Sequence, residues 1–252
     1  MKTSPQNRGW ALITGATRGL GKSIALALAG AGHNVALVGR DRVLLEKTAE
    51  AARQDGSKAE TFVADVSNEH EIRTLHERVS EQCGHIEILV NNAGINIRKP
   101  SEDFTLEEWN RVLTTNLTAP FLLCRAFVPS MKNRSFGRII NLTSMMSHVS
   151  LPGRTAYSAS KAGLLGFTRT LALELAPNNI TVNGISPGPF ATEMNTPIMG
   201  DPEKNDYFVS RIPLGRWGRV EEVGALAVYL CSEAAGFITG TDIVIDGGWT
   251  AQ

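Results

Sequence analysis

Short apolar runs alternate along the chain with longer segments whose apolar residues recur at helical spacing. The runs WALIT (10–14), NVALVG (34–39), AETFVAD (59–65), IEILVNN (86–92), GRIINLTS (137–144), ITVNGIS (180–186) and TDIVIDG (241–247) are rich in β-branched and aliphatic residues. They read as buried strands. Between them, KSIALALAGAG, RVLLEKTAEAARQDG and EHEIRTLHERVSEQCG carry apolar residues on one helical face and end in glycine, as helices closing on a C-terminal glycine do. Further helices are expected around 105–131 and 157–176. This alternation predicts an α/β fold with a doubly wound, mainly seven-stranded parallel sheet and helices on both faces. One stretch departs from it. Residues 188–218 are rich in Pro, Gly, Met and charge, and suit a mobile lid over a site; the alternative is an ordinary long surface excursion. No linker interrupts the chain, so a single domain over 1–252 is expected.

Composition narrows the partners. The 252 residues, 42% hydrophobic, suffice for a sizeable core. With 25 basic and 25 acidic residues and no basic run, nucleic acid is not an expected partner. Cys83, Cys124 and Cys231 are scattered, without a CxxC or a His/Cys cluster, which implies reduced thiols, a cytoplasmic setting and no metal. No apolar stretch approaches the length of a membrane span.

TGATRGLG places Gly15, Gly19 and Gly21 directly after the first strand and at the start of an alanine-rich helix, with Thr17, Arg18 and Leu20 between them. Glycines there let the backbone approach a pyrophosphate, and the helix N-terminus offers free N–H groups and positive potential. The end of the second strand selects the dinucleotide: an acid binds the 2′-hydroxyl of NAD, a base the 2′-phosphate of NADP. The chain reads VGRDR, so Gly39 removes the expected carboxylate while Arg40, helped by Arg18, supplies positive charge. This favours NADP. Asp41 keeps NAD as the alternative.

Tyr157 and Lys161 are four apart in TAYSASKAGLLGF, so on a helix they share a face. A free tyrosine has a pKa of about 10, and a neighbouring ammonium favours its phenolate. Together with Asn116 and Ser144 they outline a proton-handling site.

The motifs TGATRGLG (14–21), ADVS (64–67), NNAG (91–94), Asn116 in TTNLTAPF, Ser144, YSASK (157–161), SPGPFAT (186–192) and TGTDIVIDGG (239–248), in this order over almost the whole chain, resemble a classical short-chain dehydrogenase/reductase. The resemblance implies a Rossmann-type domain and a secondary alcohol–ketone oxidoreductase. In it, Asp65 and Val66 would meet the adenine, and Asn91, Asn92, Ala93 and Gly94 would support the sheet beside the cofactor. Ile185, Pro187, Gly188 and Thr192 would line the nicotinamide side. Tyr157 would be the acid/base, Lys161 would lower its pKa and hold the ribose, Ser144 would bind the substrate oxygen and Asn116 would position relay water. Within the family, NNAGINIRKP, EEWNRVLTTN and RWG (216–218) look similar to gluconate 5-dehydrogenase-like enzymes of polyols and sugar acids. The sheet and tail are also similar to β-ketoacyl-acyl-carrier-protein reductases. Arg98, His148 and Arg154 are candidate substrate contacts, though His148 has no carboxylate partner visible in the sequence. An inactive dinucleotide-binding scaffold is the reading from another class; the complete tetrad opposes it. Apolar residues on several faces of the two long helices (Phe121, Leu122, Leu123, Phe127; Leu164, Leu165, Phe167, Leu171), with the resemblance, lead us to expect a homo-oligomer, a tetramer.

Overall fold

The computed structural model describes residues 8–251 except 55, 133 and 135. Seven parallel strands form one sheet in the order β3-β2-β1-β4-β5-β6-β7. They are β1 (Arg8–Thr14), β2 (His33–Gly39), β3 (Ala59–Val63), β4 (Ile86–Asn91), β5 (Gly137–Leu142), β6 (Ile180–Pro187) and β7 (Asp242–Ile245). Every strand expected from the apolar runs is present. Successive side chains of a strand point to opposite faces, and here both faces are covered. Leu12, Ala36 and Val38 pack on one side with α3 (Glu69–Cys83), α5 (Ala119–Met131) and α6 (Thr155–Leu175) through Leu75, Phe127 and Leu171. Ala11, Ile13, Val35 and Leu37 pack on the other with α1 (Gly19–Gly30), α2 (Arg42–Gln54) and α9 (Val220–Cys231) through Ile24, Leu45 and Ala227. A strand buried on both faces has no polar side to show, hence continuous apolar runs. Cys83, Cys124 and Cys231 are free and buried in these layers.

The helix expected at 105–131 is divided. α4 (Leu106–Leu113) begins on a Thr105/Glu108 capping box, passes through a π-helical turn at Thr114–Thr118, and continues as α5. By length and composition the run Leu106–Met131 could cross a membrane, but half of its apolar window is buried inside the fold. Segment 188–218 folds into two short helices, α7 (Thr196–Met199) and α8 (Pro202–Val209). Phe208 of α8 stacks on Trp217, centroids 5.5 Å apart, and lies 5.5 Å from Trp249.

Candidate active site

In a doubly wound sheet the strand order reverses between two neighbouring strands, and the crevice at their C-terminal ends is where a ligand fits. Here the reversal falls between β1 and β4. A cleft of about 760 Å³ opens at that point. Gly15, Thr17, Arg18, Gly19, Leu20, Gly21, Arg40, Asp65, Val66, Asn92, Ala93, Gly94, Pro187, Gly188 and Thr192 all line it, as do Ser144, Tyr157 and Lys161. Met194 and Asn195, which no sequence signal singled out, close it from the 188–218 side.

The glycine loop is tied to the sheet rather than free-standing. Asn92 donates to Thr14 O at 2.8 Å and Gly15 O at 3.3 Å. A Cβ on Gly21 would overlap both the Asn92 amide and Gly15 O, and Gly15 itself has φ +66°. The loop therefore requires glycine for space and for backbone shape. At the end of β2, a Cβ on Gly39 would meet Thr17 Cγ2 at 2.9 Å, so an acid there would push into the loop. Asp41 is engaged locally: its Oδ1 accepts the Leu44 N–H at 3.0 Å and caps α2. Arg40 is 74% exposed, with Nη1 3.6 Å from Asp65. Burial alone would raise the Asp65 carboxyl, but hydrogen bonds from Ser67 and the Arg40 charge outweigh it and hold it below the ordinary range. A loop shaped for pyrophosphate, with Arg18 and Arg40 beside it, fits a dinucleotide.

Asn116 is fully buried in the π-helical turn. Its amide accepts from Ile95 N at 2.8 Å and donates to Ile95 O at 2.9 Å and Ser160 Oγ at 3.0 Å. The irregularity is what turns this side chain toward the 95–99 loop, a usual role for π turns at functional sites. Ser144 begins a 3₁₀ turn, Met145–Ser147, and its Oγ accepts the Met146 N–H at 3.1 Å. Lys161 lies one helical turn after Tyr157 on α6, with Nζ 5.7 Å from the phenol ring centroid. It donates to Leu142 O at 2.5 Å.

The electrostatics differ from the expectation that Lys161 lowers the phenol. Burial raises Tyr157 above its ordinary value; the opposing influences are a hydrogen bond with Ser144 and the charges of Arg154 and Arg98. Lys161 is itself depressed to about 8 by burial, against the sustaining charge of Asp242. An amine that titrates near 8 is already neutral where the raised phenol titrates and lends it no charge, whereas the two guanidinium groups stay charged and act on the phenol.

Arg98 and Arg154 form no ion pair among the described residues; Arg98 donates to Asn195 Oδ1 at 3.2 Å. Burial, then the Arg98 charge, lowers Arg154. Arg154 Nε, Asn96 Oδ1 and Ser147 Oγ are buried without a hydrogen-bond partner among the described residues. They sit three residues before Tyr157, two before Arg98 and three after Ser144. His148, expected to lack a carboxylate, has one: its Nε2 lies 2.7 Å from Asp242 Oδ2. Ninety-four residues separate them in the chain, which is why no local pattern showed the pair.

A cleft at the switch point that meets a half-buried tyrosine with a buried serine and lysine on a doubly wound sheet defines a nicotinamide-dependent oxidoreductase. The comparisons carry this to the family. The model described as enoyl-(acyl carrier protein) reductase matches residues 15–250. Gluconate 5-dehydrogenase of Gluconobacter oxydans (strain 621H) is 37% identical over 242 residues, 96% of this chain and 94% of that protein. A 3-oxoacyl-acyl-carrier-protein reductase of Aquifex aeolicus (strain VF5) is 40% identical over 238 residues, 94% and 95% of the two chains. The structure of a gluconate 5-dehydrogenase from Burkholderia cenocepacia J2315, in complex with NADP and tartrate, superposes with a TM-score of 0.93 at 34% identity, covering 98% of this chain and 96% of that one. The chain belongs to the short-chain dehydrogenase/reductase family, and it is an oxidoreductase.

Proposed function

We propose that the protein is a cytoplasmic, NADP(H)-dependent enzyme that interconverts a secondary alcohol and a ketone on a small polyol acid of the sugar-acid class. One observation carries the substrate class. Two guanidinium groups, Arg98 and Arg154, impose positive charge on the catalytic phenol, and neither is neutralised by a carboxylate among the described residues. Unpaired guanidinium charge beside a reacting centre is a receptor for an anion. The gluconate 5-dehydrogenases among the relatives agree with this reading, and the NADP in the Burkholderia complex agrees with the role given to Arg40 and Arg18.

When bound, the nicotinamide supplies the hydride acceptor or donor. The chain supplies the rest. Tyr157 exchanges a proton with the substrate oxygen, and the Ser144 hydroxyl binds the same oxygen. Lys161 holds the ribose, and Asn116 fixes the turn through which relay water reaches the site. Raised by burial, the phenol is protonated at neutral pH and ready for ketone reduction; alcohol oxidation needs the phenolate and gains toward alkaline pH. Segment 188–218 serves as the lid.

The test is steady-state kinetics with NADPH and NADH on 5-ketogluconate, a carboxylate-free ketose and acetoacetyl thioester. Arg154→Met should raise KM for the keto acid by about 10- to 100-fold, the loss of a charged hydrogen bond worth about 1.5–3 kcal/mol. The ketose should be little affected. Best turnover on the thioester, indifferent to Arg154→Met, would overturn the reading in favour of a β-ketoacyl reductase.

A further inference from the structure

Asp242 opens β7, yet its carboxylate is turned inward and is only 3% exposed. Thr143 Oγ1 lies 2.6 Å from its Oδ1. Ser186 Oγ and His148 Nε2 lie 2.6 and 2.7 Å from its Oδ2. A Cβ on Gly184, the facing residue of β6, would overlap Oδ1, so the sheet is shaped around this group.

Proton counting assigns the donors around the carboxylate. The Thr143 hydroxyl has one proton, and its other neighbours are Ile185 O at 2.7 Å and Ser186 Oγ at 3.0 Å. The Ser186 hydroxyl has one, and it also lies 2.8 Å from Ser144 O. Those two carbonyls already accept backbone N–H groups, from Thr143 at 2.9 Å and Ser147 at 2.8 Å. A carboxylate is a stronger acceptor than a carbonyl that already holds one N–H, so both hydroxyl protons are drawn to Asp242. In the tautomer that carries its proton on Nε2, His148 adds a third donor to this buried side chain.

Thr143 and His148 are the two ends of the segment that carries Ser144. We propose that Asp242 is a positioning residue: with His148 it clasps both ends of the 143–148 turn to β7 and so holds the Ser144 hydroxyl at the substrate oxygen. The same carboxylate supplies the negative charge that sustains the Lys161 ammonium. The inference rests on the oxidoreductase reading of the site, not on the substrate being an acid.

Asp242→Asn keeps the shape but cannot accept from both Ser186 and His148 on one atom that has become an NH₂. Measured on whichever ketone the wild type reduces, kcat should fall 10- to 100-fold while KM for NADPH stays within about twofold. His148→Leu deletes the outer arm of the clasp and should lower kcat five- to tenfold. His148→Gln, whose amide donates from nearly the same place, should retain several-fold more turnover than His148→Leu. Wild-type kcat in Asp242→Asn, or equal losses in the two His148 variants, overturns the clasp. If Asp242→Asn does not fold, the surface-accessible His148 pair decides alone. Tyr157→Phe serves as the control: should it keep most of the turnover, the reading of the site has failed; should it be inactive while Asp242→Asn is normal, only the clasp has.

Discussion

Lys161 is charged in a place that water does not reach, and the folded protein bears the cost. Its pKa is depressed from 10.5 to about 8, chiefly by burial. The folded state therefore releases this proton near pH 8, whereas the unfolded chain keeps it until about 10.5. Between those values the unfolded state binds more protons, so the contribution of this group to stability rises with pH. Lys161→Met removes that dependence while roughly keeping the volume. Urea unfolding at pH 7 and pH 10 should show the wild type gaining about 2–3 kcal/mol on the variant over that interval, at about 1.4 kcal/mol per unit of pKa. A constant difference would mean that Lys161 keeps its ordinary pKa. The residue kept for the ribose is thus also a source of instability at neutral pH, a common cost at functional sites.

At the scale of elements, the π-helical turn couples two parts of the site. Asn116 satisfies both the N–H and the carbonyl of Ile95, and thereby fixes the loop from which Arg98 projects. Asn116→Ala would leave buried backbone groups unpaired, at about 1–3 kcal/mol each. The expected result is a stability loss of about 2–4 kcal/mol in urea, accompanied by a raised KM for the keto acid because Arg98 is no longer held. A variant of wild-type stability and KM would show that the loop holds itself. The strands were legible because burial on both sheet faces writes β-branched runs directly into the chain; IEILVNN and ITVNGIS begin where β4 and β6 begin. The glycine loop was legible because its steric demand, overlap of any Gly21 Cβ with Asn92 and Gly15, leaves one residue type. At 114–118 the polar Asn116 marked a mid-helix irregularity, but its extent and π character did not show, since TTNLT differs from an α-helical segment in backbone hydrogen bonding rather than in polarity. Nor did the contact between His148 and Asp242: each is ordinary within its own neighbourhood, and only the β5-β6-β7 order brings them together.

For the whole molecule, the expected tetramer needs a different argument from the one the helix faces suggested. Leu122, Leu123, Phe127, Leu164, Leu165 and Leu171 are buried within a single copy, so the core already accounts for them. Among the large apolar side chains that stay exposed, Leu106 at 74%, Phe121 at 46% and Leu173 at 78% lie on α4, α5 and α6, and Tyr229 at 47%, Phe237 fully and Val244 at 38% lie around α9 and β7. β7 is one edge of the sheet, paired among the described residues with β6 alone, and exposed edges are ordinarily covered or blunted. Two apolar regions on different elements suit two kinds of two-fold contact, which together close a tetramer. We propose that assembly. Light scattering at micromolar concentration should give about four times 27.2 kDa. Phe237→Asp should leave the fold of each copy intact, because the ring is fully exposed, and should reduce the mass to that of a dimer by charging one of the two contacts. A wild-type monomer would remove the assembly altogether, and an unchanged tetramer in Phe237→Asp would place the contact elsewhere than at the β7 edge.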